Sequence, residues 1–216
     1  MKYFMFLIFV LLFFDAKGQC CLHTDLSRKF DYKVIRLDHK DADGFARESK
    51  IIIELYKKSD KKLFQKIQFK TEGIGLSNVF SKCSDDRSYI TGQNMKTEIL
   101  DGDYGDIVIA DFNFDGKEDF AIKYNIPADV GPEYCYFIQG DKGFKKDEYL
   151  SNQMLWFPWL INSKKHQLIS IVSPNWGTRI YKFQYNVFSK KWRKIGNRFF
   201  RHDEGLDEEL IRLKNI

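Results

Sequence analysis

The chain of 216 residues is 44% hydrophobic and 16% aromatic, which gives a single domain a sizeable core and excludes a disordered tail protein. Lys+Arg 35 against Asp+Glu 30 leaves a formal charge of +5 with the two signs interleaved, so charge does not point to nucleic acid as a partner. Twenty Phe and eleven Tyr against four Pro and four Met is a strand former's composition, because aromatic rings pack well on a pleated, half-buried surface.

Met1 to Gly18 has the three parts of a signal peptide: Lys2 as a basic start, an apolar run from Tyr3 to Phe14, and Ala16-Lys17-Gly18 as small residues for cleavage. A membrane span needs about 20 apolar residues, and Asp15 and Lys17 stop this run short of that. The expectation is an exported protein, periplasmic or secreted, with a mature chain that starts at Gln19 and carries no transmembrane helix. Gln19 before Cys20 argues against a lipoprotein anchor, which wants a small residue there. Cys20, Cys21, Cys83 and Cys135 are an even count that fits an oxidising compartment without fixing a connectivity. Residues 19–29 read as a flexible N-terminus, in which either Cys20 or Cys21 is placed to staple the tail to Cys83. Cys135 reads as a buried thiol on a strand. Neither His39 nor His166 stands at metal-ligand spacing from a cysteine, so zinc is disfavoured.

An extended start at Phe30 to Leu37 runs into the acidic stretch Asp38 to Gly44, whose Asp43-Gly44 end favours a tight turn. Lys50 to Tyr56 and Leu63 to Lys70 form the clearest hairpin, with Ile51, Ile53 and Leu55 alternating in one arm and Leu63, Ile67 and Phe69 in the other. Its lysine-rich tip, Lys57 to Lys62, reads as solvated. Gly73 to Gly102 is loop-rich, with short strands at best. A second hairpin is expected around residues 111 to 119, and a third from Tyr134–Gln139 and Phe144–Leu150 around Gly140-Asp141-Lys142-Gly143. Leu168–Val172, Thr178–Tyr185 and Trp192–Phe200 continue the series, with a turn at Asn186 to Lys190. Only Glu204 to Leu213 has helical spacing, through Leu206, Leu210 and Leu213. The fold expected is all-β, an antiparallel sandwich or barrel-like domain over residues 30–200 followed by a short C-terminal helix within 201–216.

The segment from Asp111 to Asp119, DFNFDGKED, carries chemistry. Oxygen-bearing side chains stand at positions 1, 3, 5 and 9 with glycine at 6, the arrangement by which a short loop wraps a hard cation that wants about six to eight oxygens. Asp111, Asn113, Asp115 and Asp119 would give side-chain oxygens to calcium and Lys117 its backbone carbonyl, while Gly116 makes the turn and Phe112 and Phe114 point into the core. Position 12 is Ile122, so this is not an EF-hand. An acidic turn that binds nothing usually carries fewer liganding residues in register. The expected role is structural, since three carboxylates within nine residues repel one another unless a cation neutralises them. Glu118 lies outside the ligand positions, and its replacement is not expected to mimic loss of the ion.

The run from Asp106 to Ile122 resembles the calcium hairpin of FG-GAP, or integrin-type, repeats, in a single copy where a propeller needs several. The wider context resembles bacterial periplasmic proteins related to calcium-binding lysozyme inhibitors and to immunity proteins against peptidoglycan-cleaving effectors. In that family one such loop precedes a Gly-rich segment and a Tyr-rich strand, as in Gly131-Pro132-Glu133-Tyr134-Cys135-Tyr136-Phe137. The resemblance spans about residues 30 to 195 and is specific over Asp106 to Phe144; Ile126 to Gly131 departs from a usually more Gly- and Ser-rich loop. It implies a non-enzymatic protein that binds and inhibits a cell-wall lytic enzyme. Asn125 to Glu133 would be the contact loop, with Asp129, Gly131, Glu133 and Tyr134 as contact residues.

The four histidines have no nucleophile motif beside them, and neither G-x-S-x-G nor H-E-x-x-H occurs, so an enzyme is not expected. The alternative is a carbohydrate- or surface-binding module, in which Trp156, Phe157, Trp159 and Trp176 offer stacking faces. Core packing is the competing use for at least half of them.

Overall fold

The computed structural model describes residues 19–40, 43, 46–72, 79–127, 131–154, 156–173, 176–201 and 204–215. The expected signal peptide, Gly44 of the Asp43-Gly44 turn and the expected contact residue Asp129 lie outside the described residues.

Among the described residues the fold is all-β with one α-helix, in keeping with the strand-forming composition. Strands β1 (Gln19–His23), β2 (Phe30–Lys40), β3 (Ala46–Lys57) and β4 (Leu63–Glu72) form an antiparallel sheet in chain order. A central five-stranded sheet follows, made of β5 (Asp86–Ser88), β6 (Ile107–Ala110), β7 (Asp119–Asn125), β8 (Glu133–Gly140) and β9 (Gly143–Lys146); it is antiparallel except for the β5–β6 pair. A π-helical turn at Leu150–Met154 leads to a third sheet, β10 (Leu160–Asn162), β11 (Gln167–Val172), β12 (Thr178–Asn186) and β13 (Lys191–Phe200), before helix α1 (Leu206–Lys214).

The sheets stack in three layers, and α1 makes a fourth. In β3 the alternation of Ile51, Ile53 and Leu55 sends those side chains to one face, where with Tyr32 and Val34 they meet Ile107, Ile109, Phe120, Ile122, Phe137 and Phe144 of the central sheet. The other face of the central sheet, with Val108, Ala110, Ala121, Tyr134 and Tyr136, packs on Leu168, Phe183, Tyr185 and Trp192 of the third. The far side of the third sheet buries Ile169, Ile180 and Phe200 against Leu213, with Leu206 and Leu210 alongside. This explains the unbroken apolar run of β6: Ile107 and Ile109 serve one core, Val108 and Ala110 the other. Full burial of one such side chain stabilises by about 1.5–3 kcal/mol, so each central strand gains from both neighbours where an outer strand gains mainly from one.

Two expectations are corrected. Residues 19–23 form a strand paired with Tyr32–Arg36, not a flexible tail, because Cys21 and His23 alternate into the interior while Leu22 faces out. The stretch expected to be a strand up to Leu150 stops at Lys146; Asp147 then accepts the Leu150 amide at 2.8 Å and starts the π turn. The loop-rich segment before Gly102 holds the short strand β5, in keeping with its sequence; its Arg87 guanidinium sits over the Tyr104 ring and its Ser88 hydroxyl donates to the Leu26 carbonyl. The staple joins Cys21 to Cys83, leaving Cys20 exposed and Cys135 buried as free thiols. Burial pushes the Cys135 thiol up to about 12.

Candidate functional site

The acidic loop joins β6 to β7 at one end of the central sheet, with its rings in the core between the central and third sheets. Phe112 is fully buried, edge-on to Tyr136 at 5.2 Å and to Phe157 at 5.7 Å. Phe114, at φ +60°, packs against His166 and Trp192 of the third-sheet segment at 5.3 and 6.2 Å. The two rings therefore anchor the loop inward, as the alternation requires.

Between them the polar side chains turn onto the loop's own backbone. Asp111 accepts the Asp115 amide at 3.1 Å on one oxygen and the Gly116 amide at 2.8 Å on the other. Asn113 Oδ1 also accepts from Asp115 N, at 3.2 Å, and Asp115 accepts the Lys117 amide at 2.9 Å. Gly116 takes φ +78°, which a side chain would strain. The Lys117 ammonium swings outward to Asp141 at 3.1 Å, with Asp115 at 4.0 Å. Asp119 is fully buried: one oxygen accepts from Phe112 N and Asn113 N at 2.9 and 3.4 Å, the other from Gln139 N on β8 at 2.8 Å. No salt bridge to Asp119 occurs among the described residues, and burial pushes its carboxyl up to about 8, against the pull of those amides. Burial also raises Asp111.

The donor set suits a hard cation in kind. Four oxygen-bearing side chains stand in one short loop, each with lone-pair capacity beyond the amides it accepts, and Asp119 is a buried acid with no salt bridge among the described residues. In this arrangement, however, no three His, Cys, Asp or Glu side chains among the described residues converge as a ligand set. Asp111, Asn113 and Asp115 are brought together, while Asp119 is clipped to the sheet beneath them.

Glu118 is the residue that spacing missed. It is buried; the Ser27 hydroxyl donates to one of its oxygens and the Arg28 amide to the other at 3.0 Å. It fastens the entry to β2 to the loop, 91 residues on, a structural role separate from the ligand positions. No local pattern announces a partner at that separation.

The expected contact loop leaves β7 at Asn125 and re-enters at β8. Asn125 Nδ2 donates to Glu133 at 2.8 Å, so Glu133 braces the two ends. Tyr134 is corrected as a contact residue: it is fully buried, its hydroxyl donating to the Gly105 carbonyl at 2.9 Å and accepting from Tyr104 N at 3.2 Å. Gly131, at φ +80°, passes so close to Asp101 that a Cβ would stand 3.2 Å from its carbonyl oxygen. Ile126, Pro127, Gly131 and Pro132 line a cavity of about 1020 Å³ together with Trp156 and Trp159. Phe157 belongs to the core, as Tyr104 against it at 4.4 Å attests, whereas Trp176 is 56% exposed.

No protein-family model matches this chain, and no curated protein matches it either. Among the described residues no helix is long and apolar enough to cross a membrane.

Proposed function

We propose that this is an exported, non-enzymatic binding protein that blocks a cell-wall lytic enzyme with the surface around residues 125–133, and that one calcium ion stabilises it. The observation that carries the reading is the cavity beside that connection, where Ile126, Pro127 and Pro132 meet Trp156 and Trp159. The two ends of the connection are braced, by Asn125–Glu133 and by the buried Tyr134 hydroxyl, which lowers the entropy cost of presenting the residues next to them to a partner. Ile126, 38% exposed, is then the apolar contact, and Gly131 lets the backbone turn tightly against Asp101. Asp111, Asn113, Asp115, the Lys117 carbonyl and Asp119 would hold the calcium. When bound, the ion supplies the positive charge that neutralises the crowded carboxylates.

The test measures clearing of isolated bacterial cell walls by purified lysozymes and amidases, with and without the mature protein. Inhibition that Ile126→Asp abolishes, with the melting temperature unchanged, supports the reading. If no such enzyme is bound or slowed, the reading is wrong. A glycan-binding module is the second reading, favoured by the exposed ring of Trp176.

A further inference from the structure

We infer that the surface around Arg179, at the end of the third sheet where β12 begins and β13 ends, is a binding site for an acidic saccharide, one whose sugar ring carries a carboxylate. The inference takes the glycan reading further and is independent of enzyme inhibition.

Arg179 on β12 lies opposite Phe199 on β13, and the chain reaches β12 through Trp176 and Gly177. Gly177 is required there, because a Cβ would collide with the Phe200 carbonyl and the Phe199 ring. That close passage sets the Trp176 ring 5.1 Å from Phe199, and the Arg179 guanidinium lies 5.4 Å from the one and 5.5 Å from the other. Both rings reach solvent, Trp176 at 56% and Phe199 at 39% exposure. One step along β12, Tyr181 stacks on Trp156 at 5.9 Å with the planes 5° apart, and the Lys194 ammonium stands 4.1 Å from its ring centre.

The cations of this face carry no ion pair among the described residues. Among the described residues no carboxylate forms a salt bridge with Arg179 or Lys194, in contrast to the lysines and arginines elsewhere that pair with Glu54, Asp31 or Glu209. Arg179 has five donors and makes one long hydrogen bond, Nη1 to the Tyr181 hydroxyl at 3.4 Å, while its buried Nε finds no acceptor. A half-buried guanidinium fork that stands beside two rings, about equally far from each, can take a planar carboxylate through two parallel N–H bonds. The exposed rings beside it offer flat apolar area for the C–H face of a pyranose. A saccharide is favoured over an acidic peptide by position. β13 ends its sheet, so a peptide gains most from that strand's unpaired backbone edge. The cations and rings lie instead on the sheet face, where backbone pairing contributes nothing.

The experiment titrates the mature protein with trigalacturonate, with neutral tri-N-acetylchitotriose and with hexaglutamate by calorimetry. The expected result is saturable binding of trigalacturonate that weakens with added salt. It should fall about tenfold or more, some 1.4 kcal/mol, in Arg179→Gln and in Trp176→Ala. Arg179→Lys should not restore it, because an ammonium cannot make the bidentate pair. The melting temperature of each variant verifies that it is folded, and Lys194→Gln serves as a second variant should Arg179→Gln unfold. Trigalacturonate that fails to bind, or binds equally to all the variants, overturns the inference. Chitotriose bound as tightly and with the same sensitivities overturns the acidic preference and leaves the glycan reading standing. Hexaglutamate bound in that way replaces the saccharide with a protein partner.

Discussion

Replacing Glu118 by alanine tests how the loop is built into the fold. The Glu118 carboxylate takes the Ser27 hydroxyl and the Arg28 amide, and Ser27 Oγ in turn accepts the Lys29 and Phe30 amides at 2.9 Å, so the carboxylate heads a chain of bonds that shapes the entry to β2. Each hydrogen bond to a charged acceptor contributes about 1.5–3 kcal/mol net, and truncation strands the buried Ser27 hydroxyl and frees the part-buried Arg28 amide, so a loss of about 3–5 kcal/mol is expected. For a chain of this size each kcal/mol moves the melting temperature by about 2–4 °C, which gives a drop of roughly 10 °C. Thermal unfolding followed by circular dichroism, once with excess calcium and once with excess chelator, reads it out. Because Glu118 lies outside the ligand positions, the drop should be the same in both, and Glu118→Gln should lose about half as much. A shift below roughly 3 °C, or one seen only with calcium present, refutes the reasoning.

Asp115→Ala should reproduce the effect of chelator on the wild type. At calcium 100 times its dissociation constant the ion adds about 2.7 kcal/mol, so a melting temperature indifferent to both calcium and chelator would remove calcium from the proposal. Glu209 is buried on α1 among Lys182, Arg198 and Arg212, and the Arg212 side chain above all holds its carboxyl down to about 2. Its stabilisation is therefore complete above the ordinary glutamate range near 4.5 and lost as the pH falls through about 2. Urea unfolding of wild type and Glu209→Gln should differ by roughly 1–3 kcal/mol at pH 7 and converge near pH 2. Cys21–Cys83 spans 62 residues of sequence, so its reduction should cost about 4 kcal/mol by loop-closure entropy. Native protein should react with iodoacetamide at Cys20 and not at Cys135, as mass spectrometry of the labelled peptides would reveal.

Where one strand buries one face, its alternation can be read directly, and the β3–β4 hairpin falls where Ile51, Ile53 and Leu55 place it. The spacing of the acidic loop likewise tells which side chains share its interior: Phe112 and Phe114 go inward as expected. Other features depend on partners remote in sequence. β5 is three polar residues held by a parallel neighbour, and β1 is a strand because Cys21 and His23 find an interior built from residues about 60 positions on. Glu118 looks like an ordinary surface acid until Ser27 is placed beside it. The pairing of Arg179 with Phe199 is equally hidden, since a bulge at Lys182/Phe183 shifts the β12–β13 register.

The layering of three sheets has a consequence for how the molecule opens. Amides of β6, β7 and β8 become free to exchange with solvent only when both flanking layers have separated, whereas β4 and β13 lie at sheet edges and can peel away singly. Deuterium uptake should then divide the backbone into an inner set that exchanges only by global unfolding and two outer sets that exchange by partial opening. The acidic loop is sewn into both interfaces, through Phe112 on one side and Glu118 on the other. An ion that tightens this loop would slow exchange in all three layers together, not only in the residues around it.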